Sequence, residues 1–281
     1  MIVKDIKLSI ITINYNNKQG LIKTFESIKS QSWNKFEYIV IDGGSSDGSK
    51  ELIERNPQVS YWVSEKDSGV YNALNKGIKA ANGDYLIFMN SGDSFYNSDV
   101  LKNVAPYFTG EISVLYGNSM YCKDDGYQRE EIFPKKLSFS FFYTSGINHQ
   151  ASFIKRDLFS KYFMYNEQYK IFADWELFVY AICAKNEPYL HLDQIICYYD
   201  FTGMSSNMET YNKYLFEKKE TIEKYFPLFA EDYILIDEFQ HKRMRDVLHI
   251  KQFKFPWFIL KSVSKLILIF LPKKNNNKIV L

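Results

Sequence analysis

Four short polar clusters each follow an apolar run within the first hundred residues. Asn14, Tyr15 and Asn16 follow the first run, and Asp42, Ser45, Ser46 and Asp47 the second. Asp67 follows the third, and Asn90-Ser91-Gly92-Asp93 the fourth. Carboxylates and amides at such positions can accept from the imide N–H of a uracil or from ribose hydroxyls. A carboxylate after the last run can also hold a divalent cation on a diphosphate, because hard cations take oxygen ligands. Each residue has a plainer use as well. Asp42-Gly43-Gly44 has turn composition, Asp47 suits a helix N-cap, and Asp67 precedes the turn-like Ser68-Gly69.

The elements that must carry these clusters alternate regularly. Strands are expected at Ile6 to Asn14, Glu37 to Ile41, Val59 to Val63 and Tyr85 to Met89. Helices are expected at Leu21 to Ser30, Ser49 to Arg55 and Tyr71 to Ala81. Apolar strands alternating with helices imply an α/β fold, a mostly parallel sheet with helices on both faces. Ligands in such sheets sit outside the carboxyl ends of the strands, where the polar clusters fall. From Val100 to Asp200 the pattern loosens: a loop is expected from Tyr121 to Pro134, helices near Arg156 to Phe163 and Asp174 to Ala184, and a strand from Leu190 to Tyr199. Beyond Thr202-Gly203 the chain turns helical and charged. This places a catalytic domain at 1–205 and a helical appendage at 206–281.

Several classes are excluded. The first turn, NYNNKQG, lacks the Gly-x-Gly-x-x-Gly of dinucleotide binders, and no Gly-Lys-Ser/Thr phosphate loop occurs. An apolar content of 46% with 24% charged residues excludes wholesale disorder. Cys122, Cys183 and Cys197 form neither a metal-ligand spacing nor a disulfide framework, which points to a reducing compartment. The N-terminal apolar run is too short for a signal peptide, so a cytoplasmic protein is expected. The aromatic content of 17% exceeds what one core usually needs and suggests rings lining a pocket or a partner surface.

The runs SIITINYNN, YIVIDGGSSDGS and SEKDSGVYNALNKGIKAANGDYLIFMNSGDSF resemble the inverting family 2 glycosyltransferases of bacterial surface-polysaccharide synthesis, which share the Rossmann-type GT-A fold. The resemblance is close over residues 7 to 100 and weaker to about 205. It implies transfer of a hexosyl group, with inversion, from a nucleoside diphosphate sugar, often UDP-linked, to a glycan or lipid-linked acceptor. It places Asp42 at the base and Asp67 and Asn75 near the uridine or ribose; the strand-end amides Asn14 and Asn90 are expected among the nucleotide contacts as well. Where the family usually has Asp-x-Asp, this chain has Asn90-Ser91-Gly92-Asp93, leaving Asp93 as the one carboxylate. Mg²⁺ or Mn²⁺ is then expected to be held mainly by the substrate diphosphate and water. The altered motif also admits a non-catalytic sugar-nucleotide-binding or scaffold subunit of an assembly complex.

An inverting transfer needs a base for the acceptor hydroxyl and stabilisation of the leaving diphosphate. Asp174, in the acidic-aromatic run Phe172-Ala173-Asp174-Trp175-Glu176, is the expected base, as the resemblance supports, with Glu176 second. Its plainer use is as a helix N-cap. Tyr15, Ser91, His149, Gln150 and Trp175 are candidate substrate contacts. Phe142 and Tyr143 are further rings that could stack on sugars, and Thr202-Gly203-Met204-Ser205 could close over the diphosphate.

The formal charge of +2 conceals an asymmetry. Residues 241–281 hold ten Lys or Arg against one Asp, a net of +9, whereas residues 1–240 carry a net of −7. Trp257 to Leu271 is too short to span a bilayer. On a helix, Lys261, Ser262, Ser264 and Lys265 share one side, opposite Ile259, Val263, Leu266, Ile267 and Phe270. With Lys273 and Lys274 beyond, residues 253–272 suit an interfacial helix on anionic lipid, which would place the protein peripherally on the inner face of the cell membrane; a helix docked on the catalytic domain or a partner surface is the alternative. No nucleic-acid partner is expected.

Overall fold

A computed structural model describes residues 8–123, 125–201, 208–230, 232 and 242–272. The first half follows the expected alternation. Strands β1 (Leu8–Asn14), β2 (Phe36–Asp42), β3 (Tyr61–Ser64) and β4 (Tyr85–Phe88) are interleaved with helices α1 (Lys18–Lys29), α2 (Ser49–Glu54) and α3 (Val70–Ala80). They lie in the order β3-β2-β1-β4 and all run parallel. The register sets Asn14 beside Asp42 and Asp42 beside Ser64, so three strands end on one line. All four residues of β4, Tyr-Leu-Ile-Phe, are buried, as a central strand with both faces covered requires.

Helix packing follows from side-chain spacing. Helix α1 buries Leu21, Thr24, Phe25 and Ile28, a stripe at helical period. Helix α3 lies flush on the sheet because residue 77 is glycine: a Cβ there would stand 2.5 Å from Ile11 Cγ2. Each Leu or Ile buried this way contributes roughly 1.5–3 kcal/mol.

The second half extends the same sheet. Strands β5 (Ser94–Phe95), β6 (Val114–Cys122), β7 (Gln128–Glu131), β8 (Ser152–Lys155) and β9 (Tyr189–Asp200) continue it in the order β4-β8-β6-β9-β5, with β7 on β6. Pairing is antiparallel at β4·β8, β8·β6, β9·β5 and β6·β7, and parallel at β6·β9. The expected loop from Tyr121 to Pro134 contains the β6–β7 turn, and β8 was hidden because Ser-Phe-Ile-Lys is too short to show a period. The helices here are α4 (Val100–Val104), α5 (Phe139–Thr144), α6 (Asp157–Lys161) and α7 (Ala173–Val179), the last continued by a π turn over Tyr180–Ala184. Helices α8 (Met208–Lys213) and α9 (Leu215–Tyr225) follow.

Two compact units divide the chain, Met1–Thr221 and Ile222–Leu281. The division falls after Thr221: Glu217 at the start of α9 accepts from the amides of the segment leading into α7, and Tyr211 of α8 packs on Phe172. The second unit contains helices Lys242–Ile250 and Lys254–Ile269, neither with a buried residue. Phe255, Phe258, Leu266 and Ile269 are all more than half exposed. Among the described residues no helix is long and apolar enough to cross a membrane. The Thr202 to Ser205 closure and the flanking Lys273 and Lys274 lie outside the described residues.

Candidate active site

Two adjoining clefts open at the carboxyl ends of the strands, and Asn17, Val70, Asn90 and Ser91 line both. The first, of about 850 Å³, is lined by Asn14, Tyr15, Gly43, Lys66 and Asp67, among others. Asp42 lies beneath it, fully buried. Its Oδ1 accepts from Asn14 Nδ2 (2.8 Å) and the Ser45 hydroxyl (2.5 Å), and its Oδ2 from the Ser45 amide (2.9 Å) and the Ser64 hydroxyl (2.6 Å). Burial pushes this carboxyl up, but the bonds from Ser45, Ser64 and Asn14 outweigh it and hold it below the usual carboxylate range. Asp42 thus ties three strand ends together and is not among the residues lining the cleft. Asn14, whose Oδ1 is buried with no hydrogen-bond partner, does line it.

Asp67 pairs with Lys76 at 2.6 Å, and Tyr15 stands exposed on the cleft wall. Asn75 is turned away from both clefts: its amide bonds Tyr165 and Glu167 and accepts from the Tyr165 N–H. Its work is to hold the 165–167 loop. Asp47 accepts from the first amides of two helices, Lys18 N and Ser49 N, the cap-like use its type suggested.

The Asn90–Asp93 turn forms the boundary between the clefts. Thr24 Oγ1 reaches the Asp93 carbonyl (2.7 Å) and accepts from Gly92 N (3.1 Å), while Asn17 Nδ2 donates to the Ser91 carbonyl (3.1 Å). Gly92 adopts φ +107°, and a Cβ there would stand 2.9 Å from Asp200 Oδ2, so glycine is required on both counts. Asp93 is buried and accepts from the Asp200 amide at 2.8 Å. Burial raises its carboxyl to about 7, against the opposing pull of the Asp200 amide, His149 and Gln150.

Among the described residues no cluster of three or more His, Cys, Asp or Glu forms a metal cage. The turn instead offers hard oxygens: Asp93, Asp200 beside it, and Asn90 Oδ1, which is buried with no hydrogen-bond partner. This donor set fits a divalent cation that keeps water and substrate oxygens as its other ligands. Asp200, at the end of β9, was not expected at the site; it comes into place only through the β9 pairing.

The second cleft, of about 600 Å³, brings Asp93, His149, Gln150, Asp174 and Trp175 together. Asp174 is the second residue of α7, past the N-cap Phe172, and its Oδ1 accepts from the first-turn Trp175 amide at 3.0 Å. Its Oδ2 lies 2.9 Å from His149 Nδ1, and its Oδ1 accepts from the Tyr71 hydroxyl at 3.0 Å. With the Nδ1 proton toward Asp174, His149 Nε2 is left to accept from Asn90 Nδ2 at 3.3 Å. Burial, and then the Asp174 carboxylate beside it, holds the Tyr71 phenol well above its ordinary range, so it remains a donor. Tyr71 is another participant missed in the sequence, since nothing in VYNAL distinguishes it from core. Glu176 is buried and does not line the cleft. Trp175 Nε1 donates to the Phe142 and Ser145 carbonyls, fixing its ring at the wall. Phe142 is fully buried in the interior and so cannot stack on a sugar. Tyr121 and Phe201, stacked at 4.9 Å, and Tyr199 form an aromatic border instead.

A parallel half-sheet with carboxylates at its strand ends, a buried Asp in a Gly-containing turn and a held carboxylate across the cleft match the GT-A fold. Residues 9–170 match the model of glycosyl transferase family 2, and the chain belongs to that family. It is 34% identical over 206 residues to an uncharacterised glycosyltransferase of Mycobacterium tuberculosis, covering 72% of this chain and 78% of that one. A PGL/p-HBAD biosynthesis glycosyltransferase of Mycobacterium bovis is 30% identical over 210 residues, covering 71% and 79%. Among solved structures, Staphylococcus aureus TarS 1–349 in complex with UDP-GlcNAc superposes with a TM-score of 0.62 at 18% identity, covering 79% of this chain and 68% of that one. Against the longer TarS structure the chain spans 45% of the length. The mannosyltransferase PcManGT of Pyrobaculum calidifontis, in complex with GDP-Man and Mn²⁺, gives a TM-score of 0.62 at 14% identity, covering 93% and 80%.

Proposed function

We propose that this chain transfers a hexosyl group, with inversion, from a UDP-linked sugar to a glycan or lipid-linked acceptor, with Asp174 as the base. The observation that carries this reading is the placement of Asp174: it lines the second cleft, held by His149 and Tyr71, and shares that cleft with Asp93. A carboxylate fixed from two sides can take the acceptor hydroxyl proton as that oxygen attacks the anomeric carbon from the face opposite the leaving diphosphate. Asn14, Tyr15 and Asp67 would contact the nucleotide, and Ser91, Gln150 and Trp175 the transferred sugar or acceptor. Asp93, with Asp200 and Asn90 Oδ1, would hold Mg²⁺ or Mn²⁺, which supplies positive charge against the diphosphate as it departs. The TarS complex with UDP-GlcNAc supports the choice of uridine, and the Mn²⁺ of PcManGT that of a metal.

The reading extends to place. The exposed apolar helix Lys254–Ile269 within a +9 segment supports association with anionic lipid on the inner face of the cell membrane, where envelope polysaccharide precursors are assembled.

A thermal-shift panel of nucleotides and nucleotide sugars, with and without Mg²⁺ or Mn²⁺, tests donor and metal together, because stabilisation follows affinity by mass action. UDP and one UDP-hexose should raise the melting point most. Preference for a guanine or thymidine nucleotide would overturn the uridine assignment. Binding without turnover on any acceptor would favour the scaffold-subunit alternative.

A further inference from the structure

We infer that Glu217 is a positioning residue for the transfer, acting on the segment that carries Asp174; this rests on Asp174 being the base. Glu217 lies in the first turn of α9, and its side chain is fully buried. Its Oε1 accepts from the Lys170 amide (2.7 Å), and its Oε2 from the amides of Ile171 (3.1 Å) and Phe172 (3.2 Å). These three consecutive amides lead directly into α7, and Phe172 is its N-cap. The Ile171 carbonyl (2.5 Å) and Asp174 Oδ1 (3.0 Å) in turn share the one Tyr71 hydroxyl proton. One buried carboxylate therefore fixes the strand of backbone from which both the base and its phenolic partner take their position.

The choice of residue matters. A buried carboxylate is expensive to desolvate and is tolerated only when its oxygens are well satisfied. Packing alone could dock α9 with leucine. Here the charge is committed to three amides, which are shorter and stronger partners for a carboxylate than for a neutral oxygen. The next residue grips the other side of the same element: Lys218 Nζ donates to the Tyr143 carbonyl and lies 5.2 Å over the Trp175 ring. Tyr211 of α8 packs on Phe172 at 5.3 Å and lines the second cleft. None of Glu217's three bonds goes to the donor-side residues on the β1, β3 and β4 ends.

A displacement of about an ångström at a reacting group can lower a rate about a hundredfold. The test uses the full chain, with the UDP-hexose that stabilises it most and release of UDP as the readout. Glu217→Gln keeps the volume but sets a carboxamide NH2, a donor, against at least one backbone N–H. It should lower kcat by about a hundredfold and leave UDP affinity and the donor KM within about twofold. Glu217→Asp, which keeps the charge but shortens the reach, should fall between, and it carries the test if the Gln variant folds poorly. Hydrogen exchange should quicken at 170–176 and stay unchanged at 9–17 and 38–49. Glu220→Gln, exposed on the same helix, should turn over at the parent rate. Both Glu217 variants at parent kcat would overturn the inference, as would loss of UDP affinity in step with kcat. Asp174→Asn separates the two readings: if it turns over normally the base assignment fails, and if it is inactive while Glu217→Gln is normal, only the role of Glu217 fails.

Discussion

At the scale of single residues, two carboxylates in one cleft are treated in opposite ways. Asp174 is held by a phenol and an imidazole, whereas Asp93 is enclosed and raised to about 7. Asp174→Asn should lower transfer by about 100-fold or more while leaving nucleotide affinity intact, as calorimetry with UDP would measure. For Asp93 the sign follows from linkage. Its carboxyl has an ordinary value of 3.8, so between about pH 4 and 7 the native chain retains a proton that the unfolded chain releases. The contribution of this group to stability therefore declines as pH rises through that window and is lowest above it. Asp93→Asn removes the group. Urea unfolding without metal should show the variant gaining on the parent from pH 4 to 7, and a gap that does not change with pH would contradict the assignment.

At the scale of elements, the Asn90–Asp93 turn is only as well placed as α1 allows, since Thr24 is its main tether. Thr24→Val leaves the Gly92 amide without its acceptor and should destabilise the fold by about 1–3 kcal/mol. Nucleotide affinity should fall with it, measurable by the loss of UDP-induced thermal shift. This element-level dependence also explains what was legible beforehand. Strands β1, β2 and β4 declare themselves through β-branched or apolar runs closed by polar residues, and the strand-end cluster could be read directly from them. Asp174, singled out by its acidic-aromatic run and the family resemblance, does line the second cleft. Asp200, Tyr71 and Glu217 could not be read beforehand, because their roles arise from pairings across long separations: β9 against β5 and β6, α3 against the 171–174 segment, and α9 against 170–172. Asn75 and Asp42 show the converse. Both look available in sequence, and both spend their polar atoms on neighbouring backbone or strand ends.

At the scale of the whole molecule, net positive charge is concentrated in residues 241–281, and the described helix Lys254–Ile269 there exposes a run of apolar side chains. If the helix Lys254–Ile269 binds lipid, deleting residues 251–281 should abolish sedimentation with vesicles containing anionic lipid. Turnover measured as UDP release in free solution should remain near the parent value. Raising salt should weaken vesicle binding of the intact chain without eliminating it, because the cationic part is screened and the apolar part is not. Equal binding to neutral and anionic vesicles would count against the charge argument.

The grip of Glu217 on residues 170–172 also has a consequence for biosynthesis. Every side chain named in the first cleft lies within the first 93 residues, so the ribosome releases them all long before Glu217 appears. Domains generally fold as units during synthesis, and Glu217 belongs to the same compact unit, Met1–Thr221, as that cleft. The cleft and the buried carboxylate that ties residues 170–172 would then be completed together, so a nascent chain that stops short of Glu217 lacks the last piece of the unit that carries both.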